Sequence, residues 1–245
     1  VKKAVGFDQK IMLHHLDFTA NAARTTEIKE MYEKLHTCLA ADIYGEMSRK
    51  HAITMLMKIW VRVDEEHKEI QKQALKLFPT LTSKERILLH YGMTLLAYPF
   101  FKDVVTEIGV LSRIQDQVPS SQIYRRIKAM YGDRRRVEVA VSAVLTSLRF
   151  WGVIDSRKTG IEPALPKLEV TSPMLKRWLV QVIVKAAGQK VMPLDLIREQ
   201  PMLFPFHYWI EMADLSKEQF EVNRQGLDMI VVGLRSGKVY EKYVL

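Results

Sequence analysis

Apolar positions recur at helical spacing through most of the first hundred residues. After Thr25 and Thr26, which can cap a helix start, Ile28, Met31, Tyr32, Leu35 and Leu39 share one face and predict an amphipathic helix over 26–40. Ala52, Met55, Leu56, Ile59 and Trp60 predict a second helix, and Ile70, Ala74, Leu75 and Phe78 a third. Thr82-Ser83-Lys84-Glu85 has the capping-box pattern and opens a fourth, carrying Ile87, Leu88, Tyr91 and Leu95. Residues 1–98 therefore read as a helical bundle.

The pattern then changes. Pro99 suits the first turn of a helix running through Val104, Val105, Ile108, Leu111 and Ile114 toward Gln117. Pro119-Ser120-Ser121 leads into a helix with Ile123, Ile127 and Met130 on one face, closed by Gly132. Asp133 is positioned to cap the next helix, where Val137, Val141, Val144, Leu148 and Trp151 form the stripe and Gly152 the stop. Val153-Ile154 reads as a short strand, 155–160 as a polar turn, and 161–170 as a returning segment that Pro163 and Pro166 confine to an edge. A helix through Leu175, Trp178, Leu179, Val182 and Ile183 stops at Gly188. Pro193 to Gln200 follows as a short helix, then strand-like runs at 206–212 and 220–234. The expected fold is mainly α. A bundle over 1–98 precedes a region of helices and a small hairpin over 99–170, with C-terminal helices and a small β element over 171–245. No fixed-period repeat and no sustained heptad is read.

Composition narrows the chemistry. With 48% hydrophobic and 27% charged residues in 245, a sizeable core forms without staples. Cys38 is the single cysteine, so an intrachain disulfide or thiolate cluster is excluded, which fits a reducing cytoplasm. The first residues lack the apolar run of a secretory signal. Ile87 to Phe101, the most apolar stretch, is broken by His90, Tyr91, Gly92, Tyr98 and Pro99 and falls short of a membrane span. A cytoplasmic protein without membrane contact is expected.

The formal charge is +9, and it is concentrated. Arg113, Arg125, Arg126, Lys128, Arg134, Arg135, Arg136, Arg149, Arg157 and Lys158 face four acidic residues, Asp116, Asp133, Glu138 and Asp155, in the same stretch. Most of the chain's net charge thus lies between residues 113 and 158, and such a cluster attracts polyanions.

Helix, helix, helix, short strand, basic turn and returning strand, with a tight break at Tyr131-Gly132-Asp133, resembles the winged helix-turn-helix superfamily over about residues 100–170. The resemblance implies a non-enzymatic regulatory or accessory protein that meets nucleic acid, double-stranded DNA foremost, through residues 113–163. Arg135 and Glu138 would then reach base edges, with Ser142 and Arg149 on the same outward stripe. Arg125, Arg126, Lys128, Arg134, Arg136, Arg157 and Lys158 would hold phosphates, and Ser120 and Gln122 would add polar contacts. Two other readings stay open. Val139, Ala140, Ala143 and Phe150 leave that stripe narrow, as in a core helix whose basic end is merely solvated. Winged helices also serve as protein adaptors in larger assemblies. For an adaptor, the aromatic clusters around Pro99 and Pro205, namely Tyr98, Phe100, Phe101, Phe204 and Phe206, would offer surface to a protein partner.

No catalytic, cofactor or metal constellation is read, and no enzyme activity is expected. His14 and His15 are neighbours, which point about 100° apart on a helix, and the other histidines lack partners at i+3 or i+4. Asp64-Glu65-Glu66-His67 reads as a solvated helix start. Gly233 to Val239 lacks both the spacing and the hydroxyl of a phosphate loop. His36 lies off the helix face of Cys38, which reads as an inert thiol.

Overall fold

The structure, a computed structural model, describes residues 3–155, 160–161, 166–225 and 229–235. Ten α-helices and seven short strands are present among them. The chain divides into two compact units, Val1–Leu168 with Pro201–Phe206, and Glu169–Gln200 with His207–Leu245.

The first unit opens with α1 (Leu13–Ala22), α2 (Ile28–Leu39), α3 (Glu46–Trp60), α4 (Lys68–Leu77) and α5 (Ser83–Ala97). The capping box at the head of α5 forms. Glu85 N–H donates to Thr82 Oγ1 at 3.4 Å, and the Glu85 carboxylate accepts the Thr82 N–H at 2.9 Å. α5 is the central helix, buried continuously from Ile87 to Ala97. A helix apolar on all sides shows little of the one-sided periodicity of a surface helix.

α6 (Pro99–Leu111) follows without a break into a new domain. The boundary expected at 98/99 instead falls inside the first unit, because residues on both sides share one core. Phe7 packs edge-on against Tyr98 and tilted against Phe101, and Phe101 lies 5.7 Å from Trp151. The N-terminal segment is also laid against the later helices. Ile11 N–H donates to Ser147 Oγ at 2.9 Å, and Trp151 Nε1–H donates to the Ile11 carbonyl at 2.9 Å. Pro201–Phe206 returns from far along the chain to complete this core, with the Tyr91 hydroxyl donating to the Met202 carbonyl at 2.7 Å.

The aromatic clusters expected to face a protein partner are therefore core. Tyr98, Phe100, Phe101, Phe204 and Phe206 are all buried. The prolines do interrupt helices, as read, but the rings turn inward because the first unit has enough apolar surface to cover them. α1 escaped the periodicity reading, since only Leu16, Ala20, His15 and Thr19 make its buried face.

After α6 come β1 (Val118–Pro119), α7 (Ser120–Tyr131), α8 (Arg135–Phe150) and β2 (Gly160–Ile161). α6 ends at Leu111 rather than near Gln117, and the residue that caps α8 is Arg134, not Asp133. Gly132 and Gly152 take φ of 88° and 70° at the ends of α7 and of the turn after α8, a region open to glycine.

The second unit takes in most of β3 (Leu168–Val170), then α9 (Pro173–Ala186), β4 (Val191–Pro193) and α10 (Leu194–Arg198). β5 (Phe206–Tyr208), β6 (Phe220–Gln225) and β7 (Met229–Leu234) complete the strands. β6 and β7 form an antiparallel hairpin, and β4 pairs with β7, giving the order β4-β7-β6. The 220–234 run is thus two strands.

Candidate nucleic-acid interface

β1 was not legible as a strand, yet it organises this region. Val118 pairs with Ile161 and Pro119 with Gly160, in antiparallel register. Val118 and Ile161 are fully buried, together with Ile123 and Ile127 of α7 and Val137, Val141, Val144 and Leu148 of α8. Helix, strand, helix, helix and returning strand close around one core, and Pro119 leads straight from β1 into α7 with the fixed φ that suits that junction.

Exposed on α8 are Arg135, Arg136, Val139, Ser142 and Phe150, flanked by half-buried Glu138, Thr146 and Arg149. The outward stripe expected from the sequence is thus present, and Val139 and Phe150 add apolar surface to it. On α7, Arg125 and Arg126 are exposed and Lys128 is half-buried.

The basic cluster does not act as one patch. Arg134 is turned back on the protein, where Nη2 donates to the Tyr131 carbonyl at 2.8 Å and to the Lys3 carbonyl at 3.3 Å. It satisfies a carbonyl left open at the end of α7. Arg136 lies 3.4 Å from Asp8 of the N-terminal segment, and Arg126 donates to Glu107 of α6 at 2.8 Å. Lys128 bridges Asp133 at 2.9 Å and Glu138 at 2.6 Å. Its pKa is raised by the hydrogen bond to Glu138 and then by that to Asp133, so it is held as a cation.

These contacts say where two of the expected residues lie. Arg134 caps α7, with its guanidinium on the Tyr131 and Lys3 carbonyls. Glu138 is paired with Lys128. Arg135 is the more exposed of the two arginines in α8's first turn, 89% against 64% for Arg136, and lies 4.0 Å from Glu138. Arg125 has no charged partner among the described residues. Arg157 and Lys158, the expected wing pair, lie outside the described residues.

Histidine chemistry missed by the sequence reading lies elsewhere in the first unit. His14 Nε2 and His15 Nε2 both reach Asp42 Oδ2, at 2.7 and 2.9 Å. Adjacent residues do diverge on a helix, but long rings at its first turn converge when an acceptor sits between them. His90, fully buried, accepts from Trp60 Nε1 at 3.2 Å and donates to Asp17 Oδ1 at 3.0 Å.

No helix among the described residues is long and apolar enough to cross a membrane. Comparison with protein-family models, with curated proteins and with solved structures finds no match to this chain.

Proposed function

We propose that this protein binds double-stranded DNA as a non-enzymatic regulatory or accessory factor, through the α7–α8 face of a winged-helix-like region. The observation that supports this reading is topological. α6, β1, α7, α8 and β2 close on a common core by the Val118–Ile161 pairing while Arg135, Ser142 and the α7 residue Arg125 stay exposed. In this arrangement α8 takes the place of the helix that enters a major groove, and the turn at Gly132 sets its angle to α7.

The contact set is smaller than a count of basic residues implies. Arg125 has no charged partner among the described residues and Arg135 meets Glu138 only at 4.0 Å, while Arg126 and Arg136 can exchange the half-buried carboxylates of Glu107 and Asp8 for phosphates. Ser142 and Thr146 supply short polar reach toward bases, and Val139 supplies an apolar surface of the kind that meets a thymine methyl.

The test is fluorescence anisotropy of the full chain on a random-sequence duplex across a salt series. Micromolar or tighter binding that weakens steeply with salt supports the reading, because each phosphate contact releases counterions. Absence of binding at low salt overturns it and favours an adaptor that contacts protein.

A further inference from the structure

At the head of α1, two imidazoles and a carboxylate meet at one point. His14 Nε2, His15 Nε2 and Asp42 Oδ2 all lie within 4.8 Å of one another, with the histidine rings edge to face at 4.3 Å. The histidines come from the first turn of α1 and Asp42 from the turn after α2, so the cluster joins two segments. His15 and Asp42 alone would suffice as a structural hydrogen bond. The second imidazole, on a side chain 59% exposed, is aimed at the same oxygen and gives the cluster an opening to solvent.

We propose that His14, His15 and Asp42 form a Zn2+ site that clamps α1 to the turn between α2 and α3, with a fourth position open to water. Two nitrogen donors select a first-row transition ion over Mg2+ or Ca2+, which take oxygen. Tetrahedral ligation at about 2.0–2.2 Å sets donor separations near ~3.4 Å. The present nitrogen-to-oxygen distances of 2.7 and 2.9 Å therefore open by about 0.5–0.7 Å on binding. Each ring also moves its proton from Nε2 to Nδ1. At His15 that displaces the Met12 N–H, which donates to Nδ1 at 3.4 Å, a long bond that is readily given up.

The experiment is calorimetric titration of the chelator-treated full chain with zinc chloride, with magnesium chloride as the comparison. The expected result is one equivalent of Zn2+ bound at micromolar or tighter Kd, no heat with Mg2+, and a Zn2+-dependent rise in Tm. His14→Ala, an exposed change that leaves folding intact by far-UV circular dichroism, and Asp42→Asn should each weaken Zn2+ binding by about tenfold or more. His36→Ala, which removes another histidine paired with a carboxylate, Glu46 at 3.1 Å, should not. Nitrogen-15 spectra should show the His14 and His15 protons leaving Nε2 on titration. Zn2+ binding that is absent, or that His14→Ala leaves unchanged, overturns the proposal.

Discussion

Lys128 of α7 donates to Glu138 of α8 at 2.6 Å, across the Gly132 turn that joins the two helices. The same ammonium holds Asp133 inside that turn. The pair spans the point where the angle between α7 and α8 is set, and it commits the one acidic residue of α8 to the protein.

Replacing Glu138 by Gln should therefore raise DNA affinity, because it removes a negative charge from the proposed face and leaves Lys128 with Asp133 as its one acidic partner among the described residues. Both side chains are partly exposed and solvent-screened, so the stability change should be small. Anisotropy and thermal melting of E138Q check the two halves, and weaker DNA binding by this variant would restore Glu138 as a contact residue.

Arg134 and Arg135 are adjacent and should behave differently. Arg135→Ala should weaken DNA binding and lower the salt slope by about 0.9, the value for one phosphate contact. Arg134→Ala should leave the slope unchanged and destabilise the fold by about 1 kcal/mol, since the Tyr131 carbonyl loses its charged donor. Salt-series titration and urea unfolding of both variants separate the roles.

Gly109 tests the packing of the returning 201–206 segment. Alanine in a helix is favoured over glycine by about 1 kcal/mol from propensity alone. At this position, however, a Cβ would stand 1.9 Å from the Pro201 carbonyl oxygen, a backbone atom that cannot rotate away. Overpacking wins, and Gly109→Ala should lose about 3 kcal/mol in urea unfolding.

Stability should fall on mild acidification. His15 and His90 both have pKa values lowered from 6.5 by burial. The unfolded chain thus takes up protons before the folded one does. The stability from their neutral forms is full above 6.5 and is lost as pH falls from there toward the folded values. Each histidine contributes a slope of up to about 1.4 kcal/mol per pH unit. Urea unfolding between pH 5 and 8 should show this, and His90→Gln should be less stable at pH 8 and lose part of the slope.

Much of the fold was legible, and the exceptions have physical causes. Helices with one apolar face, such as α2, α4 and α7, follow directly from spacing, and so does the Thr82–Glu85 cap. β1 was missed because two residues carry no periodicity and their strand character comes from pairing with Gly160 and Ile161, some forty residues away. A likeness between the units was hidden for the same reason. In each, a short strand ending in proline, Pro119 or Pro193, enters a helix and pairs with a later strand. In the candidate interface, the outward stripe of α8 was legible from helical geometry. The internal engagement of Arg134, Arg136 and Glu138 was not, because their partners Lys3, Asp8 and Lys128 lie on other elements.

The central claim, that DNA is met at the α7–α8 face and not merely attracted by net charge, is tested most directly by charge reversal at matched total charge. Arg125→Glu with Arg135→Glu should lower duplex affinity by about tenfold or more and flatten its salt dependence. Lys29→Glu with Lys84→Glu, exposed positions on α2 and α5, changes the net charge equally and should leave most of the affinity in place. Equal losses in the two double variants, or no loss in the first, would contradict the account.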